Sequence, residues 1–136
     1  MTKCFPAKKD ERGQSLVEAA LVLPIFILVL CGILDFGWLL SNQLMVNNGS
    51  RDGARYAIVN SDSASLQTLV ATRVRTNPGL SSTTDVTVTV TKVPTTDPTD
   101  ISVTVVKNVR VLTPLTGIFV DGQQIQLRST TIMRIE

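Results

Sequence analysis

The order of apolar and polar positions passes through three patterns along the chain. From Leu16 the residues are almost continuously apolar: Ala19 to Leu34 is sixteen residues without a charge, and the 22 residues Ala19 to Leu40 are interrupted only by Asp35. At 1.5 Å per residue, 22 residues make about 33 Å of helix, enough to cross a hydrocarbon core of about 30 Å. A lone segment cannot close a barrel, so the pattern predicts one membrane-spanning helix. Leu40, Leu44, Ala54 and Ile58 then recur at or near helical spacing, which carries the helix on into water. Asn47-Asn48-Gly49-Ser50 competes with that reading as a helix stop with a glycine cap. Leu66, Leu69, Val70 and Val74 form the apolar face of a second, short helix, with Ser63 or Ser65 as N-cap and Asn77-Pro78-Gly79 as its end.

After Gly79 the period becomes two. Val86, Val88 and Val90 alternate with Thr87, Thr89 and Thr91, a half-buried strand with a threonine-rich outer face. A loop over 94–100 leads to a second strand through Ile101, Val103 and Val105 to Val111. Thr113-Pro114-Leu115-Thr116-Gly117 breaks the pattern with room for a helical turn, and Asp121-Gly122 turns into a last strand from about Gln123 to Ile135. The predicted fold class is α+β: a long N-terminal transmembrane helix, a short helix and an antiparallel sheet of about three strands. The divisions are a polar tail 1–13, a spanning helix 14–40, a helical extension 41–60 and an α+β head 61–136.

Two other readings of the long run are weaker. A buried core helix this apolar on every side needs more surrounding chain than 136 residues supply. A removable secretory signal has a shorter apolar run and a small-x-small cleavage site after it, which this run lacks. Charge then supplies a direction. The formal net charge is +2; Lys3, Lys8, Lys9 and Arg12 face Asp10 and Glu11 in the tail, and everything after residue 13 balances. The excess positive charge therefore precedes the helix, which predicts a cytoplasmic N-terminus and an exported C-terminal part. A balanced exported part offers no electrostatic footprint for nucleic acid.

Candidate chemistry is sparse. The chain has no histidine and two cysteines, Cys4 in the tail and Cys31 in the span. That removes the Ser-His and Cys-His nucleophiles, the usual zinc sites and any disulfide framework in the head. Asp97, Asp100 and Asp121 lack the spacing of a calcium loop, and the reading is of no metal, no cofactor and no enzyme. Glu18 and Asp35 stand about 25 Å apart along the helix, one near each bilayer face, and Asp35 reads as a carboxylate reaching the headgroups. Pro24 should bend the span. Trp38 suits its outer interface. Gly49, Gly53 and Ala57 form a small-residue stripe on which another backbone can approach closely. Arg51 and Arg55 share a face open to solvent or to carboxylates of a partner.

RGQSLVEAALVLPIFILVLCGILDFGWLL, a basic tail and a glycine followed at the fifth position by a glutamate that opens an apolar helix, resembles a type IV prepilin signal. More narrowly, it is similar to the TadE-like family of minor pilins and pseudopilins of tight-adherence (Tad, Flp-type) pilus systems. NNGSRDGARYAIV resembles the family's Arg-x-Gly-Ala-Arg stretch, VLTPL its Leu-Thr-Pro-Leu segment and STTIMRIE its closing strand. The resemblance implies a leader ending at Gly13, cleavage by a prepilin peptidase and a new N-terminus at Gln14. Gln14 is not the phenylalanine common in type IV pilins. Glu18 falls where pilin-like proteins place a carboxylate for the free amine of a neighbouring subunit. Pairing lowers the cost that each charge carries alone in lipid, and one axial offset alone brings the two together. The implied partners are other pilins or pseudopilins, the inner-membrane assembly platform and membrane lipid, with the protein passing from the inner membrane to a pilus or the envelope, in support of pilus biogenesis and adhesion. The alternative is an uncleaved single-pass exported scaffold or binding protein.

Overall fold

The computed structural model describes residues 11–82, 84–93, 100–113 and 124–135. Its first element, α1, runs unbroken over Glu11–Val59, 49 residues, with Pro24 inside it. The helix therefore includes Glu11 and Arg12 of the polar tail, ahead of Gly13. It also passes straight through Asn47-Asn48-Gly49-Ser50. The stop signal is overridden because Gly49 and Ser50 are buried against the head, where residues this small are what the packing requires.

α2 spans Leu66–Arg75 and buries Leu66, Val70, Ala71 and Val74. Ser65 holds the N-cap position, but its side chain makes no capping hydrogen bond. Helix–sheet packing stabilises this ten-residue helix, too short to persist alone. Gly79 follows with φ +76°, the left-handed conformation that lets the chain turn back. Strands β1 (Val86–Val93), β2 (Asp100–Arg110) and β3 (Gln124–Arg134) form an antiparallel sheet in the order β1-β2-β3. Val88 pairs with Val105 and Val103 with Thr131, which sets the valine face of β1 and β2 toward the helices. The turn expected at Asp121-Gly122 and the helical turn expected after Pro114 lie outside the described residues.

The core lies between the sheet, α2 and the upper half of α1. Val46, Val70, Val74, Leu80, Val86, Ile101, Val103 and Val105 are buried in it. Each contributes about 1.5–3 kcal/mol through burial. The buried face of upper α1 is not the one that Leu40 and Leu44 mark, since both remain half exposed. It is the opposite face, carrying Asn42, Val46, Gly49, Ser50, Gly53 and Ala57. Hydrophobicity misleads there because the face against the head is built from small and polar residues.

One edge of the sheet is closed by a side chain. The Gln67 amide of α2 donates to the Val88 carbonyl at 2.6 Å and accepts from the Val90 N–H at 2.8 Å. It takes the place of a neighbouring strand along β1 and blocks that edge against further pairing.

Candidate functional site

α1 is a rod of two unlike halves. Every described side chain from Gly13 to Leu30 is exposed, and so are Gly32, Ile33 and Leu34. No described part of the head covers them. Among the described residues this is the one helix long and apolar enough to cross a membrane. Gln14 and Glu18, one turn apart, line a shallow groove on the bare half with Val17, Leu21 and Val22. Gly13 sits in the same helix with open space around its α-carbon. Pro24, which the sequence marks as a bend, lies within the unbroken helix of this half.

The other half begins at Asp35. Its side chain is 3% exposed. One carboxylate oxygen accepts the N–H groups of Leu112 (3.1 Å) and Thr113 (3.0 Å), and the other accepts the Thr113 hydroxyl. The sequence reading of Asp35 as a headgroup carboxylate is thereby corrected. It was made for a bare helix, whereas the chain beyond β2 returns to this height and presents backbone donors to the carboxylate. Charge-assisted bonds of this kind are about twice as strong as neutral ones.

Higher on the same face the seat continues. Asn42, also 3% exposed, donates to the Trp38 carbonyl at 2.8 Å and accepts from Lys107 Nζ at 2.7 Å. Lys107 donates in addition to the Gly79 carbonyl at 2.6 Å, so one ammonium joins α1, β2 and the turn after α2. Burial pushes the Lys107 ammonium below the usual lysine value, with Asp85 acting against the shift. Ser50, fully buried, donates to the Asn47 carbonyl at 3.0 Å and meets the hydroxyls of Ser129 and Thr131, each at 2.9 Å. Beside it lies Gly49, and above come Gly53 and Ala57. A Cβ on Gly53 would stand 2.8 Å from Val74 Cγ2 and 3.2 Å from Val103 Cγ1, and one on Gly49 would collide with Leu80. The small-residue stripe thus seats this chain's own α2 and sheet. Arg51 and Arg55 remain exposed on the opposite side.

Lys107→Met should lower the stability of the head by about 1–3 kcal/mol, because it strands the buried Asn42 oxygen. Urea unfolding followed by circular dichroism checks this. The pH dependence has a definite sign. The folded state binds the Lys107 proton less readily than the unfolded chain does, so stability rises with pH between the lowered value and 10.5. The methionine variant lacks that rise.

Asp100 forms an ion pair with Arg134 at 3.3 Å, while Asp97 and Asp121 lie outside the described residues. Among the described residues no three His, Cys, Asp or Glu side chains are grouped so as to hold a metal ion.

Comparison with known families bears on the rod and the lower seat. A family model described as TadE-like protein matches residues 13–55. Over those residues the chain is similar to that family. No curated protein and no solved structure matches the chain. The TadE-like segment opens at Gly13, takes in the bare rod with Gln14, Glu18 and Pro24, and reaches through the seat residues Asp35, Asn42, Gly49, Ser50 and Gly53. Among the described residues the single long apolar helix fits a single-pass membrane protein.

Proposed function

We propose that this TadE-like chain is a structural, non-enzymatic minor pilin or pseudopilin of a Tad-type pilus. It enters the inner membrane with its N-terminus inside and its head exported. A prepilin peptidase cuts between Gly13 and Gln14, and the helix stays on the mature protein. Glu18 then meets the freed amine of a neighbouring subunit and fixes the axial offset between helices.

The observation that carries this reading is the division of α1. The head seats from Asp35 upward, and among the described residues no part of it covers the apolar turns below. The same surface thus serves two solvents in turn, lipid before assembly and the helices of other subunits afterwards. The balanced charge of everything beyond residue 13 agrees with an exported head.

Glu18→Ala tests the register role. The variant should insert and fold as the wild type does, yet be missing from sheared pili. Wild-type levels of the variant in pili would reject the role. One feature favours an uncleaved anchor instead: α1 continues through the Gly13–Gln14 bond without a break.

A further inference from the structure

The face of α1 turned away from the head carries its own pattern. Ile33, Gly37, Leu40, Leu44, Arg51 and Arg55 are all exposed there. The first four follow the alternating four-three spacing of a helix–helix seam. At 100° per residue all six fall within one narrow stripe, opposite Asp35, Val46 and Gly53. Leu40 is 50% exposed and Leu44 55%. Gly37 has open space where a side chain would stand, which allows a second helix to come close.

Lipid does not cover the whole stripe. From Leu16 to Leu44 the rod measures about 42 Å, against a hydrocarbon core of about 30 Å. Bringing both ends inside would need a tilt of about 45°, beyond the usual range of about 0–40°. The buried Asp35 clasp, not lipid, marks the height at which the head begins, and Leu44 lies about 13 Å above it. Arg51 and Arg55 lie farther still, above the headgroup layer. An apolar strip topped by two arginines therefore faces water unless another protein covers it.

We propose that this stripe docks the exported helical continuation of a different membrane-anchored subunit, running parallel to α1 and carrying carboxylates at the height of Arg51 and Arg55. The seam spacing selects a helix. Continuity with the bare rod makes it one that leaves the membrane alongside α1. The arginines select acid. A second copy in register is disfavoured, because it would set Arg51 and Arg55 of both chains side by side. The inference rests on the membrane-anchored, head-out part of the proposed function and does not need the cleavage at Gly13.

A photo-crosslinking residue in place of Leu44, in the full chain within its native membranes, is the test. The expected product is a crosslink to one other single-span chain, at a peptide in the helical continuation of its span. The double variant Arg51→Glu, Arg55→Glu should lower the yield several-fold. Reversing the carboxylates of the crosslinked partner to lysine should restore it. A crosslink to a second copy, to lipid or to nothing overturns the proposal, as does a yield indifferent to the charge reversal. The two readings separate by N-terminus: a trimmed protein without the crosslink sinks only this surface, whereas an untrimmed protein with the crosslink sinks only the processing.

Discussion

Gly53→Leu is expected to unseat the head from the rod. Even a single added carbon at position 53 would lie 2.8 Å from Val74 Cγ2, 3.2 Å from Val103 Cγ1 and 3.4 Å from Val70 Cγ1. Val70, Val74 and Val103 are fully buried, so none can swing into solvent to make room. Two effects oppose each other. Replacing a helix-interior glycine favours the helix by up to about 1 kcal/mol, whereas overpacking a filled core costs about 1–3 kcal/mol, and more as the side chain grows. Packing wins: Gly53→Ala should be mildly destabilising, and Gly53→Leu should remove a large part of the about 5–15 kcal/mol that holds a domain together. Limited proteolysis reads the difference. The leucine variant should lose its head to protease while the bare rod stays in the membrane. Gly32→Ala, a site with open space around it, should leave the head as resistant as in the wild type.

Asp35→Ala should open the base of the seat and leave the rest standing. It removes the acceptor for two backbone N–H groups and the Thr113 hydroxyl at once. Each N–H stranded without a partner costs about 1–3 kcal/mol. The valine core above, on Val46, Val70 and Val103, is untouched, so the loss should be local. Hydrogen exchange then has a clear expectation: the amides of Leu112 and Thr113 exchange much faster in the variant, and those of β2 at Val103 and Val105 keep their protection. Asp35→Asn retains an oxygen for the two N–H groups and should fall between the two. If the Leu112 and Thr113 amides exchange equally in Asp35→Ala and wild type, the clasp does not exist in solution.

These expectations mark what the amino-acid order discloses and what it hides. The rod, the short helix and the alternating strands were legible because each rests on a local period: apolar continuity over 19–34, helical spacing at Leu66, Val70 and Val74, and alternation at Val86 and Val88. The continuation of α1 through Asn47-Asn48-Gly49-Ser50 was ambiguous, since those four residues oppose a helix locally and tertiary packing decides. The full seat was harder to read for a related cause. Leu40 and Leu44 look like the inward face, yet the inward face holds Asn42, Gly49, Ser50 and Gly53, whose burial depends on partners in α2, β2 and β3. The role of Asp35 was hidden because its donors lie 77 and 78 positions away. Lys107 and Gln67 were missed in the same way: a lysine in a strand and a glutamine on a short helix carry no signal until the fold sets Asn42 beside one and the edge of β1 beside the other. The small stripe did give a usable signal, since close approach at Gly49 and Gly53 is what the structure shows, with this chain's own head as the neighbour.

The account depends most on the rod surviving processing as the first element of the mature protein. Intact-mass and N-terminal peptide analysis of the chain purified from native envelopes and sheared pili measures that directly. A mature chain beginning at Gln14, present in the pilus fraction, is the predicted result. A chain that still begins at Met1 or Thr2 and stays wholly in the membrane fraction would contradict it.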